Sequence, residues 1–227
     1  MDIRVTYQLL TRMPLLQGIS GMELARIEER VSLQTEEIPT SHYPFITQGQ
    51  NCRELVFLVD GTLLRQATSR DKLYTATEQL FAPMVIEADK LYGLACEYAA
   101  SYRSQTDCHL IRISKKHVGD HLMKNDIFRL NFLNMLSAIV QRQEARLQPR
   151  KTGTTDEKLR RFITGCFSHD MGEKLLQIKM TDLAEYIGET RLNVSRQLNS
   201  MADKGIIQLR RKEISIPDAS EKEHISA

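Results

Sequence analysis

No run in the sequence approaches the roughly 18 consecutive apolar residues that a membrane-spanning helix needs, so no bilayer-spanning segment is expected. The opening residues, from Met1 to Thr6, lack the basic flank, apolar core and small-residue cleavage site of a secretory signal. A cytoplasmic protein with no membrane partner is therefore expected. Cysteine is sparse and scattered: Cys52, Cys96, Cys108 and Cys166 form no C-x-x-C pair and no Cys/His group of zinc or iron–sulfur spacing, and free thiols are expected. The chain also lacks a G-x-S-x-G elbow, a phosphate-binding P-loop, an H-E-x-x-H pair and a dinucleotide-binding glycine fingerprint, so no enzyme is expected. His117 and His121 stand four apart, but spacing suggests no third ligand, and no metal site is predicted.

What remains is a chain of 227 residues, 41% hydrophobic, long enough for one or two ordinary domains. Its formal net charge of +2 hides a split. Residues 1–149 hold 17 Lys and Arg against 17 Asp and Glu, residues 150–216 hold 13 against 9, and residues 217–227 hold 1 against 3. The positive excess sits in the C-terminal third, as expected for a part that meets a polyanion.

Up to about residue 119, helical spacing over Met22–Ile27 gives way to strand signals, with Ser20 placed to cap the helix. Phe45–Thr47, Leu55–Val59, Thr62–Leu64, Leu73–Thr75 and Leu110–Ile113 are short, rich in β-branched or aromatic residues, and separated by turn residues that include Gly49, Asp60, Gly61 and Gly93. Short strands at close spacing predict a small antiparallel sandwich or barrel.

From Val118 to Leu147 the pattern reads as one long helix with two apolar stripes. Phe128, Phe132, Met135 and Ile139 form one; Leu133, Leu136, Val140 and Leu147 form a second; Ile127 and Leu130 widen the coverage. Such a helix needs two surfaces to bury against. One is the preceding β domain, and the other is most economically the same helix of a second copy, because twofold contacts dominate homo-oligomers. Packing of both faces within one chain is the alternative. Pro149 ends the helix, and Arg150–Thr155 reads as a linker before a helix capped around Thr155.

The most informative stretch runs from Met180 to Gly205. Thr181 is suited to cap a short helix that buries Leu183, Ala184 and Ile187, and Gly188 lies where the chain must turn. Thr190 then caps a second helix with Val194, Leu198 and Met201 inward, which together make a helix-turn-helix. Its outward residues, Arg191, Asn193, Ser195, Arg196 and Asn199, are types that fork onto base edges in the major groove. Ile206–Leu209 and Glu213–Ile216 alternate as strands around Arg210, Arg211 and Lys212, a basic hairpin wing.

With these residues in view, the chain resembles the Crp/Fnr transcription regulators over about residues 10–216. Phe45–Thr62 looks like that family's β-roll signature, with Gly49 and Gly61 at its turns, and Thr106–Ser114 looks like the strand before the dimer helix. The helix-turn-helix aligns without a gap. The resemblance implies an α+β fold: an antiparallel β-roll (a jelly-roll-like double-stranded β-helix) at 1–119, a dimerisation helix at 120–149 and a winged helix-turn-helix at 150–227. It further implies a homodimer on near-palindromic double-stranded DNA, with Arg191 and Arg196 in base-contacting places and RNA polymerase as a partner of an activator.

Departures from the family pattern bear on the effector. Where cyclic-nucleotide-binding members carry a Gly-Glu pair and a phosphate-binding Arg, this chain has Gly93 followed by Leu94, and Tyr98 stands at the Arg position; Arg103 and Ser104 lie nearby but off register. These five residues mark the expected effector pocket. Loss of the bidentate guanidinium contact weighs against a cyclic nucleotide. An iron–sulfur cluster is not expected, since the first cysteine is Cys52. Haem needs only one or two ligands and stays open, with His42, Cys52, Met84, Cys96 and His109 in the sensor region. No cofactor is assigned. Control by an unidentified small-molecule effector, and a β-roll that recognises a protein while DNA binding is constitutive, are both left standing. Leu192 replaces an acidic reader between the two arginines, and Gln197 occupies a usually apolar position.

Overall fold

A computed structural model describes residues 11–31, 33–146 and 153–218. The chain divides into two compact units, one formed by residues 1–63 and 81–141, the other by residues 64–80 and 142–227.

The first unit opens with helix α1 (Gly21–Arg30), where the Ser20 hydroxyl accepts from Glu23 N–H and the Glu23 carboxylate returns to Ser20 N–H. This reciprocal cap satisfies two of the N–H groups that a helix start leaves unpaired. A four-stranded antiparallel sheet follows, in the order β1 (Gln34–Ile38), β7 (Cys108–Ser114), β2 (Glu54–Asp60), β5 (Met84–Ile86). The central pair is apolar and buried, with Leu55, Val56, Phe57 and Leu58 facing Ile113, Arg112, Ile111 and Leu110 across the ladder. Gly61 turns the chain at φ +96, and a Cβ there would stand 2.5 Å from the Asp107 carbonyl oxygen, so close approach as well as backbone conformation selects glycine. Phe45–Thr47, expected as a strand, pairs only through an isolated bridge from Ile46 to Tyr102 in β6 (Ser101–Ser104).

The single long helix expected from Val118 is broken. The structure has α2 (Lys115–Asp120), a 3-10 turn at Leu122–Lys124, and α3 (Asp126–Arg146). The cause is local: the Asn125 side chain accepts from Phe128 N–H at 3.0 Å and starts a new helix. The Asn131 amide donates to the carbonyls of Leu15 and Gln17 at 3.2 and 2.9 Å and fixes the face of α3 turned to the unit. Phe128 and Phe132 are buried and stacked with their centroids 6.1 Å apart, while Ile127, Met135, Leu136 and Ile139 are half-buried. Leu130, Leu133 and Val140 are 59%, 54% and 52% exposed, so among the described residues these three positions lack cover, while Leu136 of the second stripe is half-buried. Leu147 and Pro149 lie outside the described residues.

The second unit combines β3 (Thr62–Thr68) and β4 (Tyr74–Phe81), through their residues 64–80, with β8 (Lys174–Ile178), β9 (Gln208–Arg210) and β10 (Glu213–Ile216). Its strands run in the order β3, β4, β8, β10, β9. The sequence places this hairpin in the segment 1–119; the structure groups it with the C-terminal residues. β4 pairs β8 over five positions from Tyr74↔Ile178 to Glu78↔Lys174. Three helices, α4 (Thr155–Gly165), α5 (Met180–Ile187) and α6 (Arg191–Asp203), pack on this sheet, and Ala76 of the hairpin is buried in their common core with Leu159, Phe162, Leu176, Ile187 and Leu198. Thr154, not Thr155, caps α4, accepting from Glu157 N–H.

Candidate nucleic-acid interface

Helices α5 and α6 meet at a corner built by Gly188, which adopts φ 68, ψ 44 and donates its N–H back to Ala184 and Glu185. That left-handed conformation favours glycine and closes the end of α5. Thr190 caps α6, its hydroxyl accepting from Asn193 N–H at 3.2 Å. Thr181 does not cap α5: the cap position is Lys179, with no side-chain cap bond, and the Thr181 hydroxyl instead donates to Asp182 at 2.9 Å. The start of α5 therefore keeps open N–H groups and a partial positive charge.

Val194, Leu198 and Met201 of α6 are buried, which turns Arg191, Leu192, Asn193, Arg196 and Asn199 outward, all exposed, with Ser195 half-buried. The wing turns through Arg211 and Lys212, the latter at φ 64, and the Lys212 carbonyl accepts from Ile178 N–H at 2.9 Å. Between wing and helices lies a groove of about 410 Å³ lined by Lys179, Thr181, Arg191, Arg210, Arg211 and Lys212, by one carboxylate, Glu213, and by apolar side chains. The structure thus brings Thr181, Arg191 and the wing cations together, while Asn193, Arg196 and Asn199 extend along the exposed face of α6. Among the described residues no carboxylate is paired with Arg191, Arg196, Arg210, Arg211 or Lys212.

Behind this face the charges are neutralised. Lys158 of α4 donates to Glu189 at 2.6 Å, and Glu189 also accepts from Asn193 at 3.4 Å. Lys158 first, and then Asn193, hold the Glu189 carboxyl below the usual carboxylate range. Gln197, in its usually apolar position, donates to Asp156 at 2.7 Å and ties α6 to α4. Asp156 also receives Arg160 at 2.7 Å. Sequence reading missed Lys179, Lys158, Glu189 and Asp156; only the i, i+4 spacing of Asp156 and Arg160 was visible as a signal.

The hairpin is locked to this unit by Glu78, which is completely buried. It accepts from Arg65 Nη1 at 2.9 Å, Ser168 N–H at 3.0 and 3.1 Å, and His169 N–H at 3.0 Å. Tyr74 packs edge-on against Phe162 and Tyr186, and the Tyr186 hydroxyl donates to Asp71.

The expected effector residues do not converge in the same way. Gly93 and Leu94 are exposed on a surface stretch, Tyr98 is buried, Arg103 is half-buried, and the buried Ser104 hydroxyl donates to the Pro39 carbonyl at 2.6 Å. Both ring nitrogens of His109 face carboxylates, Glu37 at 3.3 Å and Asp60 at 3.8 Å. Among the described residues no group of three His, Cys, Asp or Glu is arranged to hold a metal ion, and no helix is long and apolar enough to cross a membrane.

Residues 157–221 match the family model of the Crp-like helix-turn-helix domain. No curated protein matches the sequence closely enough to be counted as a relative. Among solved structures, the chain is similar to the Catabolite Activator Protein of Thermus thermophilus, with 19% identity, 94% of this chain and 98% of that one covered, and a TM-score of 0.53. It is similar to the c-di-GMP responsive global regulator CLP of Xanthomonas campestris at 15% identity, 88% and 100% coverage and a TM-score of 0.51. The sensor domain of the transcriptional regulator DNR of Pseudomonas aeruginosa matches at 18% identity, 64% and 95% coverage and a TM-score of 0.52. At these identities the likeness is one of fold: an N-terminal antiparallel β domain, helices, and a C-terminal helix-turn-helix domain.

Proposed function

Since residues 157–221 form a Crp-like helix-turn-helix domain within the fold of bacterial regulators of that type, we propose that the protein is a homodimeric, sequence-specific DNA-binding transcription regulator. The observation that carries this reading is the exposed face of α6, with Arg191, Asn193, Arg196 and Asn199 beside a groove rimmed by wing cations that have no paired carboxylate among the described residues. Arg and Asn are the side chains that fork onto guanine and adenine in the major groove. Arg210, Arg211, Lys212 and the open start of α5 suit backbone phosphates, which fix register without reading sequence. Leu192, 58% exposed between the readers, suits the methyl group of thymine.

Dimerisation is supported by the uncovered Leu130, Leu133 and Val140 stripe of α3, which a second copy of the same helix would bury. Two recognition helices about 34 Å apart would then read a near-palindrome. A domain division at 1–119, 120–149 and 150–227 remains the functional reading, with the hairpin Leu64–Leu80 as the sensor-side sequence that joins the DNA-binding unit. An effector in the β-roll would act by shifting the population of reader spacings.

The test is operator selection from random DNA followed by binding titration of Arg191→Ala and Arg196→Ala. Each loss of a base contact is expected to cost about 1–3 kcal/mol per half-site and to relax preference at one base step. Unchanged affinity and unchanged sequence preference in both variants would overturn the assignment.

A further inference from the structure

The β domain carries three thiols that the DNA-binding proposal leaves unused, and two of them, Cys52 and Cys96, lie on neighbouring segments. Asn51 and Glu97 form an isolated antiparallel bridge. On one side of it Tyr98 N–H donates to the Gln50 carbonyl at 2.9 Å, and on the other Cys52 N–H donates to the Cys96 carbonyl at 2.6 Å. Cys52 and Cys96 are therefore directly opposite each other on adjacent extended segments. Opposite residues of an antiparallel pair have Cα atoms about 4.5–5.5 Å apart. That separation lies inside the window of about 4.4–6.8 Å that disulfides span.

The two thiols differ in access. Cys96 is half-buried in the surface stretch that holds the fully exposed Leu94, and its Sγ donates to the Gly93 carbonyl at 3.2 Å. Cys52 is 3% exposed, its Sγ donates to the Glu54 carbonyl at 3.5 Å, and burial pushes its thiol up. The other thiols are engaged elsewhere: Cys108 donates to the carbonyls of Thr62 and Thr106, and Cys166 to that of Phe162.

We propose that Cys52 and Cys96 are a redox modification site that closes to a reversible disulfide in the presence of hydroperoxides. Cys96, the thiol that solvent reaches, attacks one peroxide oxygen as the thiolate; the O–O bond breaks, Cys96 becomes a sulfenic acid, and the departing oxygen leaves as water with the thiol proton. The Cys52 sulfur then attacks the Cys96 sulfur. The S–S bond forms, the S–O bond breaks, and the hydroxyl leaves as a second water with the Cys52 proton. The two thiols lose two electrons and two protons, and one hydrogen peroxide becomes two waters. Closure pins the Gly93–Glu97 segment to the strand that follows the Gly49 turn and breaks the Cys96–Gly93 contact. A dithiol reductant reverses it by exchange.

The experiment treats the full-length protein with hydrogen peroxide, alkylates with iodoacetamide without reduction, and identifies thiol states by peptide mass spectrometry. A Cys52–Cys96 linked peptide is expected in the wild type, lost on treatment with dithiothreitol and absent from C96S, while in C52S the unresolved Cys96 proceeds to sulfinic acid. Sulfinic acid at Cys96 of the wild type without a linked peptide would overturn the proposal. So would a dominant link through Cys108 or Cys166, or four thiols that still alkylate after peroxide. Thiol chemistry is read here without DNA, so its failure leaves the DNA-binding proposal standing, and the reverse also holds.

Discussion

Replacement of Glu78 by alanine measures how firmly the hairpin Leu64–Leu80 belongs to the helix-turn-helix unit. The carboxylate has no exposed surface and accepts from Arg65, Ser168 N–H and His169 N–H, all between 2.9 and 3.1 Å. Burial alone would push its carboxyl up, but His169, Arg65 and the Ser168 amide together outweigh it and hold the group below the ordinary glutamate value of 4.5. Removal of one partner from a buried ion pair costs about 3–5 kcal/mol. Glu78→Gln keeps the volume and one acceptor, and should cost about 1–3 kcal/mol. At about 1.4 kcal/mol per tenfold, Glu78→Ala should raise the opening of this unit by more than about a hundredfold. Hydrogen exchange of peptides covering residues 168–178 reads that opening, with β2 and β7 peptides as the internal control. A carboxyl held below its unfolded value contributes stability that is complete above the ordinary glutamate range and is lost as pH falls through the folded value. Wild-type protection at 168–178 should therefore drop below pH 4.5 relative to Glu78→Gln, which lacks this titration. Equal protection in wild type and Glu78→Ala would refute the claim that the hairpin is held by this carboxylate.

Two further perturbations separate the other parts of the argument. Lys212→Ala should weaken binding to all DNA sequences alike and reduce the slope of log affinity against log salt by about one, as a lost phosphate contact does; a change confined to one base position would instead make it a reader. Leu133→Asp places a charge in the uncovered stripe of α3 and should convert a dimer to a monomer in sedimentation at micromolar concentration, with the circular dichroism spectrum unchanged. A wild-type chain that already sediments as a monomer would remove the basis for a twofold operator.

The helix-turn-helix was legible because its signals are local. Gly188 at the corner, Thr190 at the cap and the spacing of Val194, Leu198 and Met201 each act within one or two turns of chain, and all hold in the structure. Three local readings failed where a neighbouring residue competed. Asn125 breaks the run from Val118 by capping α3, Thr154 takes the cap expected near Thr155, and Thr181, expected to cap α5, bonds Asp182 while Lys179 holds the cap position. What the sequence could not disclose depends on distant pairing. β1, four of whose five residues are polar and exposed, shows no alternation and exists because β7 offers an edge. The hairpin of β3 and β4 reads like any other sensor strand; its place beside β8 rests on Glu78, about ninety positions from the amides it accepts.

The same contrast between near and far contacts bears on the proposed DNA-binding role of the basic face, against the alternative of solvated charge. A helix pair used only for packing would leave its cations free to pair with the acids of the unit, which include Asp156 on α4, Glu189 just before α6 and Glu213 on the wing, the last accepting from Gln177 at 3.1 Å. Those acids already have partners. Lys158 and Asn193 hold Glu189, while Arg160 and Gln197 hold Asp156. Gln197 is the telling residue, because an apolar side chain at that position would remove the donor that Asp156 Oδ1 has in the structure. Its amide neutralises no charge; it occupies the carboxylate oxygen that Arg160 does not. The outward cations Arg191, Arg196, Arg210, Arg211 and Lys212 are thereby left beside a groove of about 410 Å³ with the open start of α5 at its rim, a surface whose electrostatic complement is a chain of phosphates.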